Sequence, residues 1–270
     1  MVLEIIVLVK QVPDSQEVVI DPVTMNLNRS LTRNVTNSAD ENALEAALRI
    51  KDKVGANVTV VSMGPPQTET TMMECLARGA DRAILASDRF FGGADTYPTG
   101  LTIAATISKI GKFDIIFAGE ESSDSSTGHV GPGVAEFLNI DQITYASSVE
   151  YEDGYVTADR ELEGGTETVR VPTPVLVTVL LNSNSPRMQT LRRKIDAIKK
   201  GMEVWDHDKI GLQPEWVGVR GSPTIVRKMR PIKERERAAK KIDFAGLGDL
   251  AYVRLHRDMC IGFVCFVIQY

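Results

Sequence analysis

The stretch Gly119-Glu-Glu-Ser-Ser-Asp-Ser-Ser-Thr-Gly-His-Val-Gly-Pro132 gathers hydroxyls, glycines and acids between an apolar run, FDIIFA, and a helix-like run, VAEFL. Glycines let a backbone come close to a ligand. Hydroxyls and amides at a helix N-terminus donate to phosphate oxygens in the field of the helix dipole. The chemistry this composition supports is the binding of an anion. Glu120, Glu121 and Asp124 would repel phosphate, so the cradle falls on Ser125, Ser126, Thr127, Gly128, His129 and Val130, with Gly119, Glu120 and Asp124 forming the first half of the loop. A solvated Ser-rich surface loop has the same composition. What speaks for binding is position, since α/β proteins take their ligands where βα loops leave the carboxyl ends of strands.

Two shorter stretches have the same placement. Asp95-Thr96-Tyr-Pro-Thr99 reads as a helix start capped by Asp95 or Thr96 with Pro98 in the first turn, and capping residues can also touch a ligand. Asn37-Ser38-Ala39-Asp40 opens another helical pattern, in which Ser38 and Glu41 predict a capping box. His129 is the one histidine in these loops, and no nucleophile or carboxylate partner can be assigned to it; His207 and His256 lie elsewhere. The sequence has no Walker A loop, HExxH helix, GxSxG elbow or CxxC pair, and no GxGxxG follows its first apolar run, so common hydrolase and dehydrogenase signatures are unsupported.

The elements that must position these loops are legible as apolar runs: LEIIVLV (3–9), NVTVVSM (57–63), RAILAS (82–87) and FDIIFAG (113–119). They are continuous rather than alternating, as in strands buried on both faces. Helical patterns lie between them, over DENALEAALRIKDKVG, QTETTMMECLARGA and YPTGLTIAATISKIG. Strand alternating with helix predicts an α/β fold, a parallel sheet with helices on both faces. Over about 143–180 the pattern becomes strands broken by Asp153-Gly154 and Gly164-Gly165, which predicts an antiparallel extension of that sheet. EVVIDPVTMNLN (17–28), with Asp21-Pro22 at its turn, is a further hairpin candidate. Beyond Pro186 the chain becomes basic and irregular. It is expected to divide into a body, 1–185, and an extended partner-docking C-terminal arm, 186–270.

Composition narrows the class. A formal net charge of -5 argues against nucleic acid as a partner. The basic stretches Arg187–Lys200 and Arg227–Lys241 suit solvated helix faces or an acidic partner. Cys75, Cys260 and Cys265 have neither disulfide nor zinc spacing and point to a reducing, cytoplasmic compartment. MVLEIIVLVKQVPD reads as a first strand rather than a secretory leader. The closing run CIGFVCFVIQY falls short of the roughly 20 residues a bilayer-spanning helix needs, and is expected to be a buried or partner-facing tail.

Taken in order, VLVKQVPD, NSADENALEAALRIKD, VTVVSMGP, LARGADRAI, FAGEESSDSSTGHVGPGVAEFL and RELEGGTETVRVPTPVLVTV resemble the beta subunit of electron-transfer flavoproteins over residues 3–200. The resemblance implies an adenine-nucleotide-binding, Rossmann-like fold and a partner alpha subunit. It places the nucleotide against Leu8, Val9 and Lys10, against Asn37, Ser38, Ala39 and Asp40, against Met63 and Gly64, and against Gly119 to Val130. These are the loops that the residues alone single out.

The family contains two kinds of protein. Simple carriers hold AMP in this subunit; bifurcating members hold a second FAD there, reduced by NADH. V-G-P-x-x-A-E (Val130–Glu136) and D-T-x-x-T (Asp95, Thr96, Thr99) resemble the bifurcating kind, which implies a redox subunit of an NADH-oxidising complex. Electrons would then go to a low-potential ferredoxin-like protein and a high-potential quinone oxidoreductase-like flavoprotein, with any membrane association arising through those partners. In place of the usual A-x-D-x-D phrase this chain has Ser-Ser-Asp-Ser-Ser (122–126), which leaves both FAD and AMP open.

Overall fold

The computed structural model describes residues 2–14 and 33–224. The hairpin expected at 17–28, the basic stretch Arg227–Lys241, His256, Cys260, Cys265 and the apolar tail lie outside the described residues. In chain order the elements are β1 (Leu3–Leu8), β2 (Gln11–Pro13), β3 (Asn34–Thr36), α1 (Ser38–Val54), β4 (Ala56–Met63), α2 (Glu69–Arg78), β5 (Arg82–Ala86), α3 (Thr96–Ile110), β6 (Ile115–Gly119) and α4 (Val130–Leu138). They continue with β7 (Asp141–Glu152), β8 (Tyr155–Leu162), β9 (Gly165–Pro172), β10 (Val175–Val179), α5 (Leu191–Lys200), β11 (Glu203–Trp205), α6 (His207–Ile210) and α7 (Gly218–Gly221).

Nine strands form one sheet in the order β11-β5-β4-β1-β6-β10-β7-β8-β9. The pairings from β11 through β10 to β7 are parallel, and β7-β8-β9 is antiparallel. Continuous apolar strands make this possible, because alternate residues feed different cores. Ile5 and Val7 share a core with Leu44 and Leu48 of α1 and Met72 of α2. Ile6 and Leu8 share one with Ile103 and Ile107 of α3 and Val134 of α4. Both faces of β1 are therefore covered, and a polar residue in its middle would meet an apolar layer on either side.

The antiparallel extension turns where the sequence indicates. Glu152 pairs with Tyr155 across Asp153-Gly154, and both turn residues have positive φ (47° and 83°), the backbone a two-residue hairpin of matching twist requires. The extension ends sooner than the sequence pattern suggests, however. β10, read with the meander, returns to the sheet interior and pairs in parallel with both β6 and β7. All five of its residues are buried, a pattern that an edge strand facing water would not sustain.

Beyond Pro186 the described residues pack on α1 and α2 and add one strand to the sheet edge. The Arg187 guanidinium and amide donate to the buried Glu45 carboxylate of α1 (2.8 and 3.1 Å), and the same guanidinium reaches Asp52 (2.8 Å). Burial pushes the Glu45 carboxyl up, but the bonds from Arg187 and Arg49 outweigh it and hold the group below the usual range. α5 lies on α2, where Arg193 donates to the Arg78 carbonyl (2.9 Å). β11 adds to β5, and His207 Nδ1 meets the Asp88 carboxylate at 2.6 Å.

Candidate functional site

From β1 the chain moves outward to β4 and β5, with α1 and α2 on one face. α3 then carries it across the other face to β6, on the opposite side of β1. The strand order thus reverses between β1 and β6, and the crevice beyond their carboxyl ends is the place where open α/β sheets bind ligands.

A buried clasp closes the floor of that crevice. Asp40, in the first turn of α1, accepts from the Lys10 amide after β1 through Oδ2 (2.7 Å) and from the Gly119 amide at the end of β6 through Oδ1 (3.1 Å). Burial raises its carboxyl to about 7, against the bonds from Lys10, Asn37 and Gly119 that pull it down. Gly119 is required by space: a Cβ there would lie 2.8 Å from the carbonyl carbon and Cβ of Ala39, and closer still to Asp40 Oδ1. Leu8 and Val9 supply the apolar body beneath, one toward each face of the sheet.

Asn37 caps α1 through its backbone carbonyl, which accepts from the Asp40 and Glu41 amides (3.0 and 3.1 Å). Its side chain faces the long loop instead, donating to the Glu121 carbonyl (2.8 Å) and accepting from the Ser123 amide (3.1 Å). The capping box expected from Ser38 and Glu41 does not form, because Ser38 is already inside the helix and Glu41 is drawn into an ion pair with Arg78 of α2.

The first half of the Gly119–Val130 loop is held by the protein itself. Lys10 Nζ reaches Asp124 (2.6 Å) and Ser122 (3.2 Å), and Ser125 shares a 2.7 Å contact with Ser122. Burial works against the Asp124 charge, but the bonds from Lys10, Ser122 and Ser125 keep its carboxyl low. Glu120 accepts from the Leu181 amide (2.8 Å). Two of the acids that would repel a phosphate are therefore committed to protein donors.

The second half is open. Ser126 and Gly128 take left-handed backbones (φ 46° and 64°), and His129 starts α4 without a side-chain cap. Among the described residues, the main-chain N–H groups of Thr127, Gly128, His129, Val130 and Gly131 donate to no protein acceptor. Such a run of amides at a helix N-terminus is an anion cradle in waiting. At the carboxyl end of β4, Met63 packs against the core and Gly64 has no room for a side chain beside Thr68. Among the described residues, the buried hydroxyls of Ser62 and Thr68 have no hydrogen-bond partner.

The third stretch stands apart from this group. Asp95 caps α3 by accepting from the Tyr97 amide (2.9 Å), and its other oxygen accepts from the Thr224 amide and hydroxyl (3.0 and 2.7 Å). Thr99 donates back to the Asp95 carbonyl (2.6 Å), and Thr96 is the first residue of the helix. None of the three hydrogen-bonds to the Lys10–Asp40–Gly119 group. Their link to it runs through helix packing, with Gly100 and Tyr97 of α3 against Phe137 of α4. Sequence reasoning missed Tyr145 and Thr178, which border the cradle, and Asn42 and Asn184, whose reciprocal bonds tie the chain after β10 to α1.

A doubly wound parallel sheet with an unpaired run of amides at its switch point has the architecture of the phosphate-binding α/β proteins. Comparison with known proteins is more specific. Residues 24–209 match the electron transfer flavoprotein domain. The chain is 46% identical over 226 residues to the electron transfer flavoprotein subunit beta of Clostridium acetobutylicum (84% of this chain, 87% of the relative). It is 43% identical over 225 residues to the caffeyl-CoA reductase-Etf complex subunit CarD of Acetobacterium woodii (83% and 86%), and 39% identical over 245 residues to the protein FixA of Azotobacter vinelandii (88% and 87%). The chain belongs to the electron transfer flavoprotein family, as a beta subunit.

Proposed function

We propose that this beta subunit holds FAD in the crevice between β1 and β6 and takes electrons from NADH for bifurcation between a low-potential ferredoxin-like acceptor and a high-potential, quinone-linked one. The observation that carries the reading is the run of unpaired amides from Thr127 to Gly131 above the switch point. These amides and the α4 dipole would hold the phosphates. Gly64 and Gly119 keep the floor close, and Lys10 keeps the loop's own Asp124 from repelling the ligand. When bound, the flavin supplies hydride acceptance and single-electron transfer; the protein supplies position and electrostatics. The D-T-x-x-T and V-G-P-x-x-A-E patterns favour FAD over AMP. Similarity to CarD, a subunit of a caffeyl-CoA reductase-Etf complex, supports a multi-subunit assembly.

In this reading residues 1–185 hold the nucleotide and 186–270 engage partners, the alpha subunit first. Met188, three residues before α5, and Leu191 and Ile198 within it are exposed (85, 76 and 72%) among Arg192, Lys194 and Lys199, a surface suited to an acidic partner with an apolar anchor. No helix of the described residues is long and apolar enough to cross a membrane. We place the subunit in the cytoplasm, reaching a membrane through its partners. A second reading, a carrier with structural AMP that docks dehydrogenases, draws on the Ser122–Ser126 departure from A-x-D-x-D.

Anaerobic titration of the alpha–beta complex with NADH separates the two. The proposal predicts stoichiometric bleaching of the flavin visible band without any added dehydrogenase. An unchanged spectrum in excess NADH would favour the AMP-bound carrier.

A further inference from the structure

Tyr145 is the conformational outlier of the described chain. Five non-glycine residues have positive φ; four are Ser, Asn or Asp, and the fifth is Tyr145, at φ 59°. For a bulky side chain this region is rarely occupied, and bulges that force it are concentrated beside functional sites, where they re-aim a side chain. The register of β7 shifts at this point against both of its neighbours, between Val177 and Val179 of β10 and between Ala146 and Ser148 opposite β8.

The bulge aims the tyrosine at the cradle. Its Oη lies 3.5 Å from where a Cβ on Gly128 would sit. Its amide donates to Thr178 Oγ1 (2.9 Å), and the methyl group of Thr178 lies 2.8 Å from the Cβ position of Gly131 in the first turn of α4. One buried threonine thus fixes the tyrosine backbone and the helix N-terminus together. The residue is 44% exposed, and among the described residues its hydroxyl has no hydrogen-bond partner. A tyrosine needed only for packing would not require a left-handed backbone to leave its hydroxyl over a loop of unpaired amides.

We infer that Tyr145 is a ligand-binding residue of this site, its hydroxyl donating to a phosphate oxygen held by the amides of Gly128 to Gly131. The inference rests on the nucleotide-binding reading above. It extends that site from the βα loops to the bulge of β7, a side of the crevice that none of the sequence motifs mark.

The test uses the full alpha–beta complex stripped of nucleotide and titrated calorimetrically with AMP, FAD and adenosine. Tyr145→Phe keeps the ring and removes the donor. It is expected to weaken AMP and FAD by about tenfold, as for loss of a hydrogen bond to a charged group, while leaving adenosine affinity and the melting temperature of the unliganded complex unchanged. Tyr145→Gly, which relaxes the backbone, should weaken AMP and FAD at least as much without lowering that melting temperature. Wild-type affinity for AMP and FAD in Tyr145→Phe would overturn the inference alone, as would an equal loss for adenosine. Failure of the wild-type complex to bind AMP or FAD would overturn the reading of the site and the inference with it.

Discussion

Gly119→Ala is expected to lower the unfolding free energy by about 2–3 kcal/mol, the cost of forcing an extra carbon into a packed interior, and to reduce the nucleotide retained through purification. The glycine does not stand in the left-handed region, so the constraint is the approach of α1 to the end of β6. The new Cβ would sit 2.8 Å from two atoms of Ala39 and nearer still to Asp40 Oδ1. α1 would have to withdraw, lengthening the 3.1 Å bond from the Gly119 amide to Asp40 and pulling Asn37 away from the loop it holds. Gly133→Ala is the internal control. Among the described residues, no atom beyond its chain neighbours and its own helix backbone lies within 4 Å of its Cβ position, and alanine is favoured over glycine inside a helix by about 0.5–1 kcal/mol. Urea unfolding of the two variants should move in opposite directions. Equal midpoints would mean that the crevice floor tolerates the added atom.

Asp40→Ala is expected to cost about 2–6 kcal/mol, because it leaves two part-buried amides, those of Lys10 and Gly119, without their acceptor at about 1–3 kcal/mol each. The cost depends on pH. Burial raises the Asp40 carboxyl from 3.8 to about 7, so between these values the folded state holds a proton that the unfolded state has released. The contribution of Asp40 to stability is complete below about pH 4 and is lost as pH rises through 7. The difference between wild type and Asp40→Ala is accordingly larger at pH 5 than at pH 8. Carboxylates held below their usual range, such as Glu45 and Asp124, trend the other way, but they are common to both proteins and cancel. Urea unfolding at the two pH values reads the difference directly. A larger cost at pH 8 would show that the two amide bonds, rather than burial, set the charge of the clasp.

Much of the scaffold was legible because it depends on local pattern. The four apolar runs lie within two residues of β1, β4, β5 and β6, and Asp153-Gly154 marks its own turn. The position of the site followed from the same pattern, since a strand handing over to a helix at Gly119 fixes where the loop must be. What stayed hidden depends on long-range pairing. β10 has the composition of a buried strand, yet only its partners show that it enters between β6 and β7. Asn37 and Ser38 are equally good caps in isolation, and the choice goes with the loop 84 residues later that accepts from the Asn37 side-chain amide. Asp95 reads as a cap and is one, but nothing near it announces Thr224 as a second partner. The left-handed backbone of Tyr145 leaves no trace in residue type, since that conformation calls for glycine or asparagine.

The central claim is that the crevice between β1 and β6 holds FAD. Its most direct test is to denature the purified alpha–beta complex in acid and quantify the released nucleotides by chromatography. Two FAD and no AMP per alpha–beta pair is the predicted result; one FAD with one AMP would contradict it.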